Sequence, residues 1–170
     1  MTATDNISLR ALEPEDLDML YSIENDRQLW AVGATNVPYS RYVLHDYIAN
    51  SSGDIYTDRQ LRLMIVNGEG RAVGIADLIN FDPKHLRAEV GIVIAQPFRH
   101  QGYGRQALRR LACYALGVLH LHQLYAIVDA SNELSLNMFL GVAFTPLTRL
   151  PQWLYDGREY RDALLLQKIL

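Results

Sequence analysis

The residues best suited to chemistry lie in one short glycine-rich segment, Arg99-His100-Gln101-Gly102-Tyr103-Gly104. It follows a predicted strand directly and opens a long predicted helix. Gly102 and Gly104 can both take positive φ and let a ligand approach the backbone without a Cβ in the way. The first N–H groups of a helix have no intrahelical partner, and the helix dipole adds partial positive charge there. The segment therefore favours a pyrophosphate site, although an ordinary strand-to-helix turn would also use glycine.

This segment does not match the common nucleotide-binding motifs. It lacks the Gly-Lys-Ser/Thr of a Walker loop and the third glycine of a dinucleotide fingerprint. Its Arg-x-x-Gly-x-Gly pattern instead resembles the acyl-CoA loop of the GCN5-related N-acetyltransferase (GNAT) superfamily. Arg87–Glu89 and Val128–Glu133 are similar to the same family, and Leu9–Leu17 and Asp156–Ala163 to its spermidine and ribosomal-protein branch. Because the resemblance covers nearly the whole chain, it weakens the competing interpretation, an unrelated nucleotide-binding α/β domain.

The resemblance implies the GNAT acyl-CoA N-acyltransferase fold, an α/β domain with a central, mostly antiparallel mixed sheet and helices on both faces. It implies acetyl-CoA as the cofactor, bound in a V-shaped cleft between the strand at Gly91–Ile94 and the strand at Leu124–Val128. The cofactor-binding residues that it implies are Ile92, Val93, Ile94, Arg99, His100, Gln101, Gly102, Tyr103, Gly104, Arg105, Asn132 and Phe139. The first three would hold the pantetheine and the thioester carbonyl, the loop residues the pyrophosphate, and Asn132 the pantetheine arm. An ordinary helix N-cap is the alternative role of Asn132.

The chain departs from the family at the residue that normally protonates the departing thiolate. The family has a tyrosine there, followed four residues later by Gly-Phe, whereas this chain has Phe139 and then Ala143-Phe144. The hairpin tyrosines Tyr155 and Tyr160 are candidates for a replacement. A thiol has a pKa near 8.5, so thiolate is a tolerable leaving group near neutral pH even without an acid.

The attacking amine needs more help than the leaving thiolate. An alkylamine with a pKa near 10.4 is mostly charged at pH 7, which costs about 4–5 kcal/mol before attack. Glu89, at the start of a predicted strand, is therefore the candidate general base, acting directly or through water. A surface acid paired with Arg87 or a neighbouring strand is the alternative interpretation of Glu89.

Hydrophobic periodicity predicts the elements that position these residues. Predicted strands span Ile7–Ala11, Leu61–Val66, Ala72–Phe81, Glu89–Ile94, Leu124–Val128, Leu147–Leu154 and Ala163–Ile169. Predicted helices begin at Glu13–Asp16, at Ser40, at about Gly104 (ending near Leu119) and at Asn132. Three consecutive strands followed by strand–helix alternation predict a mixed sheet with helices on both faces.

Composition limits the classes of protein. With 170 residues, 49% hydrophobic and 21% charged, the chain is typical of one globular domain over residues 1–170 rather than a disordered, collagenous or coiled-coil protein. A net charge of −3 favours neither nucleic acid nor an anionic membrane as a partner. The single cysteine, the absence of a signal-peptide pattern and the absence of a long apolar run predict a soluble cytoplasmic protein. The pair His120 and His122 has no further ligand at usable spacing, so no metal is predicted.

The function that these observations predict is acetyl-CoA-dependent acetylation of a primary amine: a small amine, a polyamine or a peptide N-terminus. A degenerate acyl-CoA-binding protein without turnover is the alternative, because of Phe139. The segment from Arg27 to His45 contains no Asp or Glu, which disfavours a polycation and suits a small amine or a peptide N-terminus. The apolar run Leu164–Leu166 predicts self-association as a homodimer or larger homo-oligomer, with core burial as the alternative.

Overall fold

The computed structural model describes residues 6–30 and 37–170. Within these ranges the strands are β1 (Ile7–Ala11), β2 (Leu61–Asn67), β3 (Ala72–Asp82), β4 (Arg87–Ile94), β5 (Gln123–Asp129), β6 (Thr145–Tyr155) and β7 (Tyr160–Ile169). The helices are α1 (Leu17–Glu24), α2 (Arg41–Asn50), α3 (Ile55–Asp58), α4 (Tyr103–Gly117) and α5 (Glu133–Leu140). The predicted order of elements is confirmed. The sequence analysis missed the one-turn helix α3 and the short 3₁₀ turn at Gln96–Phe98.

The elements group into two compact units. The first contains the described residues up to Leu12, residues 52–124 and the last two residues, and the second contains the rest. Strands β1 to β4 and helices α3 and α4 belong to the first unit, and α1, α2, α5, β6 and β7 to the second. Strand β5 begins in the first unit and continues into the second. The single domain over residues 1–170 stays a prediction.

In the first unit an antiparallel sheet supports one long helix. Its strand order is β1-β2-β3-β4, and α4 packs against β1, β3 and β4. Leu108 and Leu111 of α4 and Leu78 of β3 are completely buried. Burying a leucine side chain contributes about 1.5–3 kcal/mol. This packing fixes the start of α4, and with it the glycine-rich segment, relative to the end of β4.

In the second unit the hydrogen-bonded strand order is β5-β7-β6, and the β6–β7 hairpin is longer than predicted. The register of β6 against β7 is interrupted between Pro146 and Thr148 and again between Leu150 and Leu154. Proline lacks an N–H, so strands tolerate it at an edge or a bulge. Pro146 lies at the start of β6, outside the predicted strand Leu147–Leu154, whereas Pro151 lies within it. The predicted turn at Asp156-Gly157 is confirmed, with Gly157 at φ +95°.

Candidate active site

The glycine-rich segment is a loop with two left-handed residues. It follows the 3₁₀ turn at Gln96–Phe98 rather than β4 directly, which corrects the sequence analysis. His100 has φ +63° and Gly102, the N-cap of α4, has φ +83°. Gly104 is the second residue of α4 and has ordinary helical geometry, so only Gly102 of the two predicted glycines uses positive φ. Successive turns of this kind aim backbone N–H groups into one concavity that suits an anion.

The start of α4 has the electrostatics of an anion site. Helix geometry leaves the N–H groups of Tyr103, Gly104 and Arg105 without intrahelical partners. The first turn of α4 carries no acidic residue, and Arg105 is exposed beside it. A Cβ built on Gly102 meets only the Nε2 of Gln106, at 3.9 Å, so the space in front of the loop is open. These features fit a pyrophosphate.

Arg99 ties this loop to the end of β4. Its Nε donates to the carbonyl oxygen of Ile94 at 3.0 Å, and the side chain is half-buried. The Nε2 of Gln101 donates to the carbonyl oxygen of Pro97 at 3.2 Å. Both hydrogen bonds therefore stabilise the conformation of the loop, whereas the side chain of His100 is exposed.

The end of β4 is more accessible than a core strand. Ile92, Val93 and Ile94 are all half-buried, whereas the facing positions of β3 from Val73 to Ala76 are buried. The residue paired with Ile94 is Gly74, and a Cβ there would lie 2.2 Å from the carbonyl oxygen of Val93. Glycine at position 74 thus lets the two strands approach closely just where the predicted cofactor residues lie.

Glu89 lies in β4, half-buried, on the same strand as these residues. Its Oε2 accepts a hydrogen bond from the Nδ2 of Asn80 at 2.8 Å. Arg87 does not pair with it, because the Nη2 of Arg87 lies 3.1 Å from the Oδ2 of Asp82. The alternative interpretation of Glu89, a surface acid paired with Arg87 or a neighbouring strand, therefore holds for the neighbouring strand, through the amide of Asn80, and not for Arg87, while the role of general base stays a prediction. Asn80 was not identified by sequence analysis, since an asparagine inside a strand pattern gave no signal.

The second unit contains the two remaining predicted cofactor residues. Asn132 is the N-cap of α5, and its Oδ1 accepts from the N–H of Ser135 at 3.1 Å. The cap occupies the carbonyl oxygen and leaves the amide –NH₂ as a donor, so capping and ligand binding are compatible. Phe139 is 3% exposed, and its ring meets that of Phe144 edge-on with centroids 5.0 Å apart. The position of the family tyrosine is therefore filled by a core side chain.

Ala143, which stands where the family has glycine, keeps a glycine-like backbone. Its φ is +61°, in the left-handed region that an alanine rarely adopts. This geometry supports the alignment of Phe139 and Ala143-Phe144 with the family motif, because the backbone conformation is retained after the glycine is lost.

An open cleft of about 340 Å³ lies in the second unit, near the turn of the β6–β7 hairpin. Its lining residues are Asp129, Ala130, Ser131, Arg149, Glu159, Arg161 and Asp162. Within it Arg161 donates to Asp156 at 2.7 Å and lies 3.9 Å from Asp129, next to the start of α5. Arg161 thus connects the hairpin turn to the end of β5. The sequence analysis missed this network, although the alternating charges from Asp156 to Asp162 are a signal for it.

Hydrogen bonds to two hairpin carboxylates lower their pKa. The N–H groups of Glu159 and Arg158, then the Arg161 guanidinium, lower the pKa of Asp156. The N–H of Gln152 and the Arg149 guanidinium lower the pKa of Asp162. Both groups accept these bonds as carboxylates, so the hairpin turn depends on their ionised form.

Outside residues 1–5 and 31–36, no helix has the length and apolar character that crossing a membrane requires. In the same described ranges no group of three or more His, Cys, Asp or Glu side chains is placed to hold a metal ion.

Comparison with known proteins identifies the family. The family model described as "Acetyltransferase (GNAT) domain" matches residues 6–145. The spermidine N(1)-acetyltransferase of Escherichia coli strain K12 is 26% identical over 168 residues, which cover 96% of this chain and 86% of that protein. The enzyme of the same name from Vibrio cholerae serotype O1 is 24% identical over 156 residues, which cover 92% of this chain and 88% of that protein.

Solved structures confirm the predicted fold. The crystal structure of spermidine N-acetyltransferase from Vibrio cholerae in complex with CoA and spermine matches with a TM-score of 0.86 at 22% identity, over 98% of this chain and 96% of that chain. A dodecameric structure of that enzyme matches with a TM-score of 0.79 at 22% identity, over 98% and 95% of the two chains. The predictions of a GNAT fold, of an N-acetyltransferase and of acetyl-CoA as its cosubstrate are confirmed. The chain belongs to the GNAT acetyltransferase family and is an acetyl-CoA-dependent N-acetyltransferase.

Proposed function

We propose that this enzyme acetylates a primary amine of a small aliphatic polyamine such as spermidine. The observation that carries the proposal is the nearly full-length similarity to enzymes named spermidine N(1)-acetyltransferases, which covers 92–96% of this chain. A polyamine is a polycation, and the net charge of −3 is compatible with attracting one.

The first unit would bind the pyrophosphate and the thioester end of acetyl-CoA, and Asn132 of the second unit is the further donor that the family resemblance implies. The N–H groups from His100 to Arg105 would receive the pyrophosphate at the start of α4. The backbone of Ile92–Ile94, whose side chains are half-buried, would hold the pantetheine and the thioester carbonyl. The –NH₂ of Asn132 would donate to the pantetheine arm, with its Oδ1 retained by the helix cap. When bound, acetyl-CoA supplies the acetyl group as a thioester.

Glu89 would act as the general base for the amine. Its carboxylate would take a proton from the ammonium, directly or through one water, and leave a lone pair on nitrogen for attack on the thioester carbon. The new N–C bond forms as the C–S bond breaks, the sulfur leaves as thiolate, and the thiolate takes the second proton from the nitrogen, directly or through water, so that a neutral amide and the CoA thiol are released. General base catalysis of this kind contributes about 10²–10⁴-fold.

The structure supports departure of the thiolate without a proton from position 139. Phe139 has no ionisable group and is buried against Phe144. Tyr155 and Tyr160 carry phenols at the end of the β6–β7 hairpin, where both are exposed and their rings are 5.1 Å apart. A thiol has a pKa near 8.5, so thiolate is a tolerable leaving group near neutral pH without a proton from these side chains.

A small monoamine is the second candidate acceptor, and one observation favours it. The segment from Arg27 to His45 has no carboxylate to bind the further ammonium groups of a polyamine. Residues 31–36 of this segment lie outside the described residues. Near its ends, the amide of Asn25 is bound to the backbone of Tyr39, and Trp30 donates to the carbonyl oxygen of Glu24 at 3.0 Å.

We also propose that the enzyme assembles as a homo-oligomer and acts in the cytoplasm. Leu166 is completely buried, whereas Leu164 and Leu165 are half-buried, so the predicted apolar run contributes to the core of the second unit and its role in self-association stays a prediction. The exposed apolar side chains of the hairpin are instead Leu147, Trp153, Tyr155 and Tyr160. They suit a contact between copies, and a structurally similar enzyme is dodecameric. Cys113 is a free thiol, which fits a reducing compartment.

The test is an acceptor screen with acetyl-CoA in which release of CoA thiol is measured. Spermidine, a monoamine of similar length and a peptide with a free N-terminus are compared at equal concentration. The proposal predicts at least tenfold higher kcat/KM for spermidine than for the monoamine. Equal values for the two amines would favour the second candidate, and a higher value for the peptide would reject both. No thiol release with any amine would contradict turnover itself.

A further inference from the structure

We infer that Asn80 is a positioning residue that holds the carboxylate of Glu89 in place for the acceptor amine. The inference rests on the proposed role of Glu89 as general base and adds a second residue to it. Asn80 is in β3, and its Nδ2 donates to the Oε2 of Glu89 in β4 at 2.8 Å.

The backbone at Asn80 is built to direct this side chain. The β3–β4 register is regular up to the pair Ile79↔Glu89 and shifts before the next pair, Asp82↔Arg87. Asn80 lies in this bulge with φ +51°. Asparagine is among the few residue types that tolerate the left-handed region, and bulges re-aim side chains next to active sites. The bulge turns the amide of Asn80 sideways, toward the neighbouring strand and Glu89.

Neighbouring contacts hold the bulge in this form. Phe81, the next residue, is 4% exposed, and its N–H donates to the carbonyl oxygen of Arg59 at 3.1 Å. The ring of Tyr56 meets the ring of Phe81 edge-on with centroids 5.0 Å apart. Asn80 itself is exposed, so its side chain contributes to Glu89 rather than to the core.

The charged groups around Glu89 are engaged with one another. Arg62 and Asp77, two residue pairs further along the sheet, form a two-pronged ion pair at 2.8 Å, and Arg87 pairs with Asp82. Further charged or titratable groups near β4 in the first unit include Lys84 and His85 in the β3–β4 turn, His122 before β5, and Arg105, Arg109 and Arg110 in α4. The hydrogen bond that Glu89 accepts comes instead from the neutral amide of Asn80. This hydrogen bond orients the carboxylate through a neutral donor.

The experiment is the pH profile of kcat/KM for Asn80→Gly and Asn80→Asp. Glycine keeps the left-handed backbone and removes the amide, and aspartate keeps the shape but places a second carboxylate beside Glu89. A hydrogen bond to a carboxylate favours its charged form and a like charge disfavours it. We expect the acid limb of the profile to move up by about half a pH unit in Asn80→Gly and by about one unit or more in Asn80→Asp. The plateau should fall about tenfold in Asn80→Gly, because the carboxylate is no longer oriented.

Arg59→Gly is the matched control. Arg59 also has a left-handed backbone, at φ +57°, and its carbonyl supports the same bulge. Glycine at position 59 has the same entropic cost of folding as glycine at position 80 but removes no hydrogen bond to Glu89. The pH profile of kcat/KM for Arg59→Gly should therefore match that of the wild type. Wild-type profiles in both Asn80 variants, beside a Glu89→Gln enzyme slowed at least 10²-fold, would overturn the positioning role alone. A Glu89→Gln enzyme with wild-type activity would overturn the base and its positioning residue together.

Discussion

The family resemblance assigns both the loop before α4 and the helix α5 to acetyl-CoA. The two regions differ in how many features of the family motifs they retain. The loop has an exposed left-handed glycine, unpaired helix N–H groups and no acid in the first turn. Helix α5 has kept the cap at Asn132 but has a buried phenylalanine in place of the tyrosine and an alanine in place of the glycine. We therefore propose that the loop retains cofactor binding, whereas Phe139 has no proton to donate.

Gly102→Val should have the largest effect, because it changes the loop before α4, where the proposed pyrophosphate site lies. Valine disfavours φ +83°, and its branched side chain would enter the space in front of the N–H groups. Acetyl-CoA at 100 times its Kd should stabilise the wild type by about 2.7 kcal/mol, a shift of several degrees in Tm, whereas ATP and NAD should not. The variant should lose this shift and at least 10²-fold in kcat/KM.

Gly70→Val is the matched control for that experiment. Gly70 also has positive φ, +78°, and open space around it, but it lies in the β2–β3 turn. Its variant should be destabilised to a similar degree and still respond to acetyl-CoA. If Gly102→Val folds and keeps the Tm shift, the loop is not the pyrophosphate site.

Phe139→Tyr tests helix α5, in which phenylalanine replaces the tyrosine of the family. The hydroxyl would enter a buried apolar contact with Phe144, and a buried hydroxyl without a partner costs about 1–3 kcal/mol. We expect a lower free energy of unfolding in urea and a kcat within about threefold of the wild type. A tenfold or larger gain in kcat would show that this position still faces the leaving group.

Ala143→Gly should have a smaller effect of opposite sign. The alanine is held at φ +61°, and glycine takes this conformation without steric cost. Relief of the strain should raise the free energy of unfolding by about 0.5–1 kcal/mol, measured by urea denaturation. Ala72→Gly, at the start of β3 where φ is not positive, is the control and should lower it. A destabilised Ala143→Gly variant would show that the left-handed backbone is not strained.

The smallest effect expected is a loss of stability of the β6–β7 hairpin in acid. The folded-state pKa values of Asp156 and Asp162 are below those of the unfolded chain, so their contribution is present above about pH 4 and is lost as pH falls through the folded values. Amide exchange in the hairpin should therefore accelerate, relative to α4, below pH 4. Asp162→Asn should remove part of this pH dependence, and an unchanged profile in that variant would contradict the contribution of Asp162.

The features that the sequence predicts are those that local patterns determine, and the features that it misses depend on contacts between distant residues. Periodicity and turn residues gave the bounds of β1, the start of α2 and the turn at Asp156-Gly157, because local patterns decide these features. The loop and Glu89 were proposed as site residues from local sequence and family resemblance, and these roles stay predictions. The contact of Asn80 with Glu89 could not be, since it depends on a register shift between two strands. The Arg161 network is equally non-local, because it joins residues about 30 positions apart.

The most direct test of the proposed mechanism, with Glu89 as general base and no proton from position 139, is the pH dependence of kcat/KM. It is measured for the wild type, Glu89→Gln and Phe139→Tyr with acetyl-CoA and the best amine from the screen. Making the free amine is the main barrier, since its pKa lies more than three units above neutral and that of the thiol within about two. We expect kcat/KM of Glu89→Gln to be lower by about 10²-fold or more and its pH profile to lose the limb that titration of the base produces. The pH profile of Phe139→Tyr should match that of the wild type. A Glu89→Gln enzyme equal to the wild type, beside a Phe139→Tyr enzyme that gains about 10²-fold, would contradict it.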